Sequence, residues 1–308
     1  MKKQLYTAMG LMSGTSMDGI DISIISSDGY DEFNQILDEY YKYDENLQEE
    51  LINLRNLILN EKDLTKYSDK LKNLERKITL FHADKINRII AKYRNGIDLI
   101  GFHGQTIFHN SEKKISKQLG DGRLLSQLLK KKVIYDFRQD DMKNNGQGAP
   151  LTPVFHYLLS KIINKKFKTK LPMVIINIGG ITNVTKIIKN SERLEDNMVA
   201  FDIGPGNCMI DDWVRKHSNL RFDKDGQVAR SGKVNQMILN QAIDNFKFEN
   251  YTQSLDIKDF DISFVRGLSF EDGCSTITNF TGYLIAKGIE YIDEIKHETN
   301  YLICGGGR

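Results

Sequence analysis

Cysteine and proline are scarce in this chain of 308 residues, which contains 3 cysteines and 4 prolines. The cysteines, Cys208, Cys274 and Cys304, are far apart and form no CxxC pair. This spacing argues against a disulfide framework and against a zinc site, and it indicates a reducing compartment. With 24 glycines and 40% hydrophobic residues, the chain has enough apolar material for a core, and it is not a linker-rich or disordered protein.

An excess of charge of one sign and long apolar runs are also missing. The formal net charge is +2, from 43 basic and 41 acidic residues, whereas nucleic-acid binders usually carry a basic excess. No stretch approaches the roughly 18 apolar residues of a membrane helix, and polar residues at positions 13–18 interrupt any signal peptide. We therefore expect a cytoplasmic protein whose partners include neither nucleic acid nor membrane.

The chain opens with an apolar strand, a turn of small polar residues and glycine, and a second apolar strand, and this pattern returns in its second half. The first copy spans residues 5–25 and the second spans residues 173–188. The length of the chain also fits two domains. We therefore expect a duplicated α/β architecture with one lobe at residues 1–170 and the other at residues 171–308.

Periodicity outlines the rest of the first lobe. Residues 33–43 are expected to form a third strand, and residues 46–60 and 64–93 to form amphipathic helices. An apolar run at residues 97–102 predicts a buried strand, which is expected to end in a polar loop at residues 103–106.

The loop at residues 13–19 is the strongest functional signal. Small hydroxyl residues and glycines at a hairpin tip direct several N–H and O–H groups into a small volume, and glycine lets the backbone approach a ligand closely. Such a loop suits a polyphosphate, and Asp18 is placed to hold Mg²⁺ through water. An ordinary polar hairpin loop stays open as the alternative.

Glycine turns also follow strands at residues 177–183 and 202–207, and a third glycine run at residues 305–307 suits a flat ligand such as adenine. Plain turn chemistry is the alternative for the first two, and a flexible tail is the alternative for the third. Each turn is weak support alone. Together with the hairpin loop, they predict that two lobes close on a phosphate chain.

Three carboxylates precede the glycine-rich residues 146–150. Asp136, Asp140 and Asp141 include a candidate general base for an attacking hydroxyl or water, and a solvated acidic loop stays open as the alternative. His103 and His109 suit a structural role or a substrate contact better than metal binding, because the sequence places no third metal ligand at a matching spacing.

These motifs together resemble those of the anhydro-N-acetylmuramic acid kinase family. The resemblance runs in order from near residue 9 to residue 308 and rests on the strings GLMSGTSMDGID (10–21), GQT (104–106), QLGDG (118–122), DFR (136–138), GQGAPL (146–151), NIGGITN (177–183), FDIGPGN (201–207) and GGGR (305–308). It implies a two-lobed fold of the actin-like ATPase and ribonuclease H-like type, with ATP and Mg²⁺ in the cleft between the lobes. The implied reaction opens the 1,6-anhydro bond of anhydro-N-acetylmuramate with water while O6 accepts the γ-phosphoryl group. The product is N-acetylmuramate 6-phosphate, in peptidoglycan recycling.

The resemblance also assigns roles to single residues. Asp141 falls on the family's general base, and Asp18 on a water-mediated Mg²⁺ contact. The expected ATP-binding residues are Ser13, Gly14, Thr15, Ser16, Met17, Asp18, Gly19, Ile20, Asp21, Asn177, Gly179, Gly180, Asn183, Asp202, Gly204, Gly206, Asn207, Gly305 and Gly306. The expected sugar-binding residues are His103, Gln105, Thr106, Gln147 and Gly148.

The chain departs from the family pattern at three places. Asn144 and Asn145 precede Gly146 where the family has a glycine, and residues 254–260 replace a KSTGRE-like string. The family continues past Arg308 into further helices, so the second lobe is expected to be incomplete. A truncated copy that binds nucleotide without catalysis, and another sugar kinase of the same fold, therefore stay open as alternatives. The oligomeric state, a homodimer included, also stays open.

Overall fold

The computed structural model describes residues 4–14, 16–93, 95–191, 193, 196–246, 255, 257–292 and 298–307. The chain divides into two compact units, Met1–Leu151 and Thr152–Arg308. Each unit combines a mixed β-sheet with helices, so the expected α/β organisation is confirmed. The boundary between the units lies before residue 152 and not at the expected residue 170, because the helix Pro153–Phe167 belongs to the second unit.

The first unit is built on a six-stranded sheet. Its strands are β1 (Tyr6–Ser13), β2 (Gly19–Ser27), β3 (Phe33–Lys42), β4 (Leu99–Asn110), β5 (Ile115–Leu119) and β6 (Val133–Ile134). Their order is β3-β2-β1-β4-β5, with β6 beside β4. Strand β1 runs antiparallel to β2 and parallel to β4. The predicted hairpin, with its loop after Ser13, is therefore confirmed.

The described residues of this unit also form five helices. They are α1 (Glu45–Leu57), α2 (Glu61–Lys66), α3 (Ser68–Lys92), α4 (Gly122–Leu129) and α5 (Phe137–Lys143). The predicted helix at residues 64–93 is divided, because α2 ends at Lys66 and α3 starts at Ser68. The apolar stripe of α3, including Ile78, Ile86 and Ile89, joins the sheet residues in one buried cluster.

Strand β4 corrects the prediction of a strand that stops at residue 102. It continues to Asn110, because Gln105 pairs with Ser13 of β1 and Thr106 pairs with Gln118 of β5. Gly104 has a φ of 73°, and a Cβ at this position would lie 2.5 Å from the Leu119 carbonyl oxygen. The polar residues 103–106 therefore belong to a strand and not to a loop.

The second unit is built on a four-stranded sheet of β7 (Met173–Ile178), β8 (Ile181–Ile187), β9 (Met198–Pro205) and β10 (Asn300–Cys304). Its helices are α6 (Pro153–Phe167), α7 (Cys208–His217), α8 (Gln227–Ser231), α9 (Gln236–Asn245) and α10 (Phe270–Ile292). One face of the sheet, with Met173 and Ile175, packs with Tyr157 of α6. The opposite face, with Val174 and Ile176, packs with Ile285 of α10.

The two sheets share one strand order. In the first unit the strands lie in the order β3-β2-β1-β4, and in the second unit they lie in the corresponding order β9-β8-β7-β10. In both units the first three strands pair antiparallel and the fourth pairs parallel to the first. The duplicated pattern in the sequence therefore corresponds to a duplicated topology. Among the helices described in the chain, none is long and apolar enough to cross a membrane.

Candidate functional site

The hairpin loop after β1 is anchored from its inner side. Ser13 is 2% exposed, and its hydroxyl lies 3.1 Å from that of Tyr43. The Gly14 carbonyl accepts hydrogen bonds from the Gln105 amide at 2.9 Å and from the Met17 N–H at 3.3 Å. Met17 is fully buried and has a φ of 54°. These contacts fix the start of the loop.

The outer side of the loop carries hydroxyl and carboxylate groups. The exposed Ser16 hydroxyl donates to the Asp18 carboxylate, and the Asp18 carbonyl accepts from the Tyr43 N–H at 2.9 Å. At Gly19, a Cβ would lie 2.4 Å from the Tyr41 carbonyl oxygen, so the chain re-enters the sheet where only glycine fits.

Not all the residues expected to bind ATP here lie on the outer side. Thr15 is outside the described residues, and Ile20 is fully buried in the core. Asp21 lies on the exposed side of β2. Desolvation, followed by the charges of Asp18 and Asp38, raises the pKa of Asp21. Carboxylates of like charge therefore face one another near the loop.

Asp141 differs from the two neighbouring carboxylates. Asp136 and Asp140 are exposed, the Asp140 side chain by 74%, whereas Asp141 is half-buried on α5. Its Oδ2 accepts from the Gly148 N–H at 2.8 Å, and its carbonyl accepts from the Gly146 N–H at 2.9 Å. The glycine-rich segment after α5 thus folds back onto this one carboxylate.

Two glycines permit this close approach. A Cβ on Gly146 would lie 2.0 Å from Asp141 Oδ2. Gly148 has a φ of 74°, and a Cβ there would lie within 3.1 Å of the Met142 side chain, the Arg138 carbonyl oxygen and the His109 ring. Glycine at position 146 therefore leaves room for the carboxylate, and glycine at position 148 suits the backbone conformation as well.

Arg138 connects the loop to strand β4. Its Nη1 donates to the Gly148 carbonyl at 2.7 Å, and its Nε donates to His103 Nε2 at 2.9 Å. The other ring nitrogen of His103, Nδ1, lies 2.7 Å from the Gly104 carbonyl oxygen. Burial and then the Arg138 charge lower the pKa of His103 to about 4. Sequence reasoning did not single out Arg138, although it lies one helical turn before Asp141.

The other residues expected to bind sugar lie on or beside β4. Gln105 is 0% exposed, and within the described part of the chain its Oε1 has no hydrogen-bond partner. Thr106 is half-buried and accepts from the Gln118 amide at 3.2 Å, whereas Gln147 is exposed. His109 Nδ1 lies 3.0 Å from the Ser116 hydroxyl. No group of three potential metal-binding side chains occurs among the described residues.

In the second unit, the three glycine turns converge. The Asn207 N–H donates to the Gly179 carbonyl at 2.7 Å, and the Gly307 N–H donates to the Ile178 carbonyl at 3.0 Å. A Cβ on Gly206 would lie 2.1 Å from the Gly179 carbonyl oxygen, and one on Gly305 would lie 2.4 Å from the Ile178 carbonyl oxygen. Turns that are distant in sequence thus form one continuous backbone surface.

A row of polar side chains crosses the sheet beneath these turns. Cys304 pairs with Asn177, Asn177 with Asn183, and Asn183 with Asp202, and residues paired in this way project from one face. The Cys304 thiol donates to Asn177 Oδ1 at 3.7 Å. Asp202 is 6% exposed and accepts from the Leu255 N–H at 2.9 Å. Four positions from four strands therefore form one polar group at the turn end of the sheet.

Comparison with known proteins gives a consistent result. The family model for anhydro-N-acetylmuramic acid kinase matches residues 6–308. A protein of Pelagibacter ubique (strain HTCC1062) named anhydro-N-acetylmuramic acid kinase is 51% identical over 99% of this chain and 81% of its own length. The proteins of the same name from Agrobacterium fabrum and Rhodospirillum rubrum are 37% and 36% identical over 99% and 98% of this chain, and 80% and 76% of their own lengths.

Proposed function

The chain belongs to the anhydro-N-acetylmuramic acid kinase family, and from this premise we propose that it phosphorylates 1,6-anhydro-N-acetylmuramic acid with ATP. Water opens the anhydro bond, O6 accepts the γ-phosphoryl group, and the products are N-acetylmuramate 6-phosphate and ADP. The observation that carries the proposal is the Asp141 carboxylate, which a backbone N–H orients at 2.8 Å while two exposed aspartates nearby lack this support.

Asp141 acts as the general base. Its carboxylate takes a proton from the water that attacks the anomeric carbon C1, and the C1–O6 bond breaks as the C1–OH bond forms. The electron pair of that bond stays on O6, which attacks the γ-phosphorus, and ADP leaves. A carboxylate in a fixed orientation favours this step because proton transfer depends on the placement of the acceptor oxygen.

The sugar site that we propose includes residues near Asp141. Gln105 Oε1, Thr106 and Gln147 offer polar groups to the sugar. Gly148, whose N–H and carbonyl bond to Asp141 and Arg138, and His103 belong to the same proposed site. The Gln105 side chain also connects to the hairpin loop through the Gly14 carbonyl. One buried amide therefore joins the sugar side of the site to the phosphate side.

The nucleotide-binding residues that we propose lie in glycine turns, one set within each unit. In the first unit, Gly14, Ser16 and Asp18 present polar groups on the hairpin loop, and Thr15 belongs to the same loop. In the second unit, the converging turns offer backbone groups, and glycine at positions 206 and 305 lets these turns pack directly against one another. The proposed residues there are Asn177, Gly179, Gly180, Asn183, Asp202, Gly204, Gly206, Asn207, Gly305 and Gly306.

Asp18 and its surroundings fit a hydrated Mg²⁺. The Asp18 charge contributes to the raised pKa of Asp21, so a divalent cation near Asp18 would relieve the repulsion between these carboxylates. Magnesium ions in proteins retain several waters and commonly use one or two carboxylates. When bound, Mg²⁺ neutralises charge on the transferring phosphoryl group.

The shared strand order of the two sheets supports the duplicated, actin-like fold class that we propose for the chain.

The test combines a product assay with a pair of matched variants. The purified protein is incubated with ATP, Mg²⁺ and anhydro-N-acetylmuramate in H₂¹⁸O, and the products are analysed by mass spectrometry. We expect one ¹⁸O in the sugar at C1 and none in the phosphoryl group. Asp141→Asn should lower turnover by roughly 10²–10⁴-fold, whereas Asp140→Asn, a change on the exposed neighbour, should leave it within twofold.

Each result bears on a different part of the proposal. A folded protein that forms no phosphosugar from this substrate would rule out the proposed reaction, and a panel of other sugars would then identify the acceptor. Wild-type turnover by Asp141→Asn would exclude this carboxylate as the base while leaving the kinase activity in place.

A further inference from the structure

Arg138 and Asp141 lie on the same helix, and the Arg138 guanidinium reaches the base through a backbone segment. Its Nη1 donates to the carbonyl of Gly148 at 2.7 Å. The N–H of the same residue donates to Asp141 Oδ2 at 2.8 Å. Arg138 therefore holds the carbonyl of Gly148, and the N–H of Gly148 orients the carboxylate of Asp141.

The loop at Gly148 has little freedom once this contact is made. A Cβ on Gly148 would lie 3.0 Å from Met142 Cγ and 3.1 Å from both the Arg138 carbonyl oxygen and His109 Cε1. Met142 is fully buried, so the backbone lies directly on the packed surface. The guanidinium contact supplies the directional constraint that apolar packing does not provide.

His103 in turn fixes the guanidinium. The imidazole Nδ1–H donates to the Gly104 carbonyl at 2.7 Å, which leaves the lone pair of Nε2 to accept from Arg138 Nε at 2.9 Å. This arrangement requires the neutral ring, because an imidazolium has no acceptor nitrogen. Both ring nitrogens, which the sequence led us to expect at the sugar, therefore have protein partners.

We propose that Arg138 is a positioning residue for Asp141: it orients the carboxylate through Gly148, and neutral His103 on strand β4 holds the guanidinium in place. The proposal rests on the proposed role of Asp141 as general base. It assigns His103 to the support of the base and leaves contacts with the sugar to the other residues of the site.

A displaced carboxylate affects the chemical step more than binding. A misplacement of about 1 Å at a reacting group can lower the rate by roughly 10²-fold. Arg138→Ala should therefore lower kcat by roughly 10- to 100-fold. KM for ATP should change little, because Gln105 and Tyr43 anchor the hairpin loop.

The experiment compares Arg138→Ala with Arg76→Ala, a change of an exposed arginine on α3 of the same unit. We expect kcat to fall for the first and stay within twofold for the second. Millimolar guanidinium should restore part of the lost kcat of Arg138→Ala, which a loss of folding stability would not allow. Arg138→Lys should recover little, because an ammonium group cannot contact Gly148 and His103 through one planar fork.

Variants of His103 test the second link. Glutamine offers an acceptor oxygen in place of Nε2, so His103→Gln should keep most of the activity. His103→Phe retains a ring without an acceptor and should resemble Arg138→Ala. These two variants also keep the proposal testable if Arg138→Ala does not fold.

A double variant distinguishes this proposal from the proposed function. If Arg138 acts through Asp141, adding Arg138→Ala to Asp141→Asn should cause no further loss of residual turnover. Full kcat in Arg138→Ala, together with an inactive Asp141→Asn, would overturn the positioning role alone. A higher KM for the sugar at unchanged kcat would also overturn it, because the guanidinium would then bind the substrate directly.

Discussion

Gly146→Ala tests how closely the activity depends on the position of the Asp141 carboxylate. The added Cβ would lie 2.0 Å from Asp141 Oδ2, whereas ordinary contacts begin near 3.4 Å. The carboxylate would therefore have to move by roughly 1.4 Å, and such a movement also breaks the hydrogen bond from the Gly148 N–H. Because a displacement of about 1 Å at a reacting group can cost roughly 10²-fold in rate, we expect kcat to fall by that order.

The assay is steady-state ADP formation, with nucleotide affinity and the urea midpoint measured on the same preparations. Gly96→Ala is the matched control, because nothing lies within 4 Å of a Cβ at that position of the same unit. The control should retain kcat within twofold. If Gly146→Ala is folded and turns over at the wild-type rate, the carboxylate either tolerates the displacement or takes no part in the reaction, and the reasoning is refuted.

Three further predictions concern stability, nucleotide binding and thiol reactivity. Burial lowers the pKa of His82 to about 4 from an ordinary 6.5, so the unfolded chain takes up a proton first as pH falls, and stability is lost from about pH 6.5 downwards. The free energy of unfolding, measured with urea, should fall by roughly 2 kcal/mol between pH 7 and pH 5 because of this group. His82→Leu should remove that part of the pH dependence. An unchanged pH dependence in this variant would contradict the prediction. Gly206→Ala places a Cβ 2.1 Å from the Gly179 carbonyl oxygen, so the affinity for ADP, measured by calorimetry, should fall by roughly tenfold or more. The control Gly282→Ala, where nothing lies within 4 Å of the added Cβ, should leave this affinity unchanged. Equal affinities of the two variants would exclude the turn from the nucleotide site. Burial raises the pKa of the Cys274 thiol to about 12, so this cysteine should resist a disulfide reagent at pH 8 in the folded protein and react in urea, and rapid labelling of the native state would contradict its burial.

Sequence reasoning succeeded where a pattern is local. Both predicted hairpins form, the one after β1 and its counterpart between β7 and β8, although β8 begins at Ile181, inside the turn expected at residues 177–183. Strand alternation and the apolar stripe of α3 likewise depend on neighbours in the chain. The family was also predictable, because its motifs are long strings in a fixed order.

Sequence reasoning failed where a distant partner decides the structure. The polar residues 103–106 looked like a loop, yet β5 and β1 bury Gln105 completely by pairing on both sides. Tertiary pairing overrides local composition in such strands. The contact between Arg138 and Gly148 spans two segments with no periodic signal, so only the structure shows it.

The converging turns of the second unit have a consequence for folding. Gly307 donates a main-chain hydrogen bond to Ile178, and Gly206 donates one to Gly180, although more than a hundred residues separate Ile178 from Gly307. Closing such long segments is entropically costly and slow, so the backbone surface forms only after the strands on both sides of the sheet have docked. A ligand that binds this surface therefore recognises chains that have finished folding and stabilises them selectively over partly folded ones.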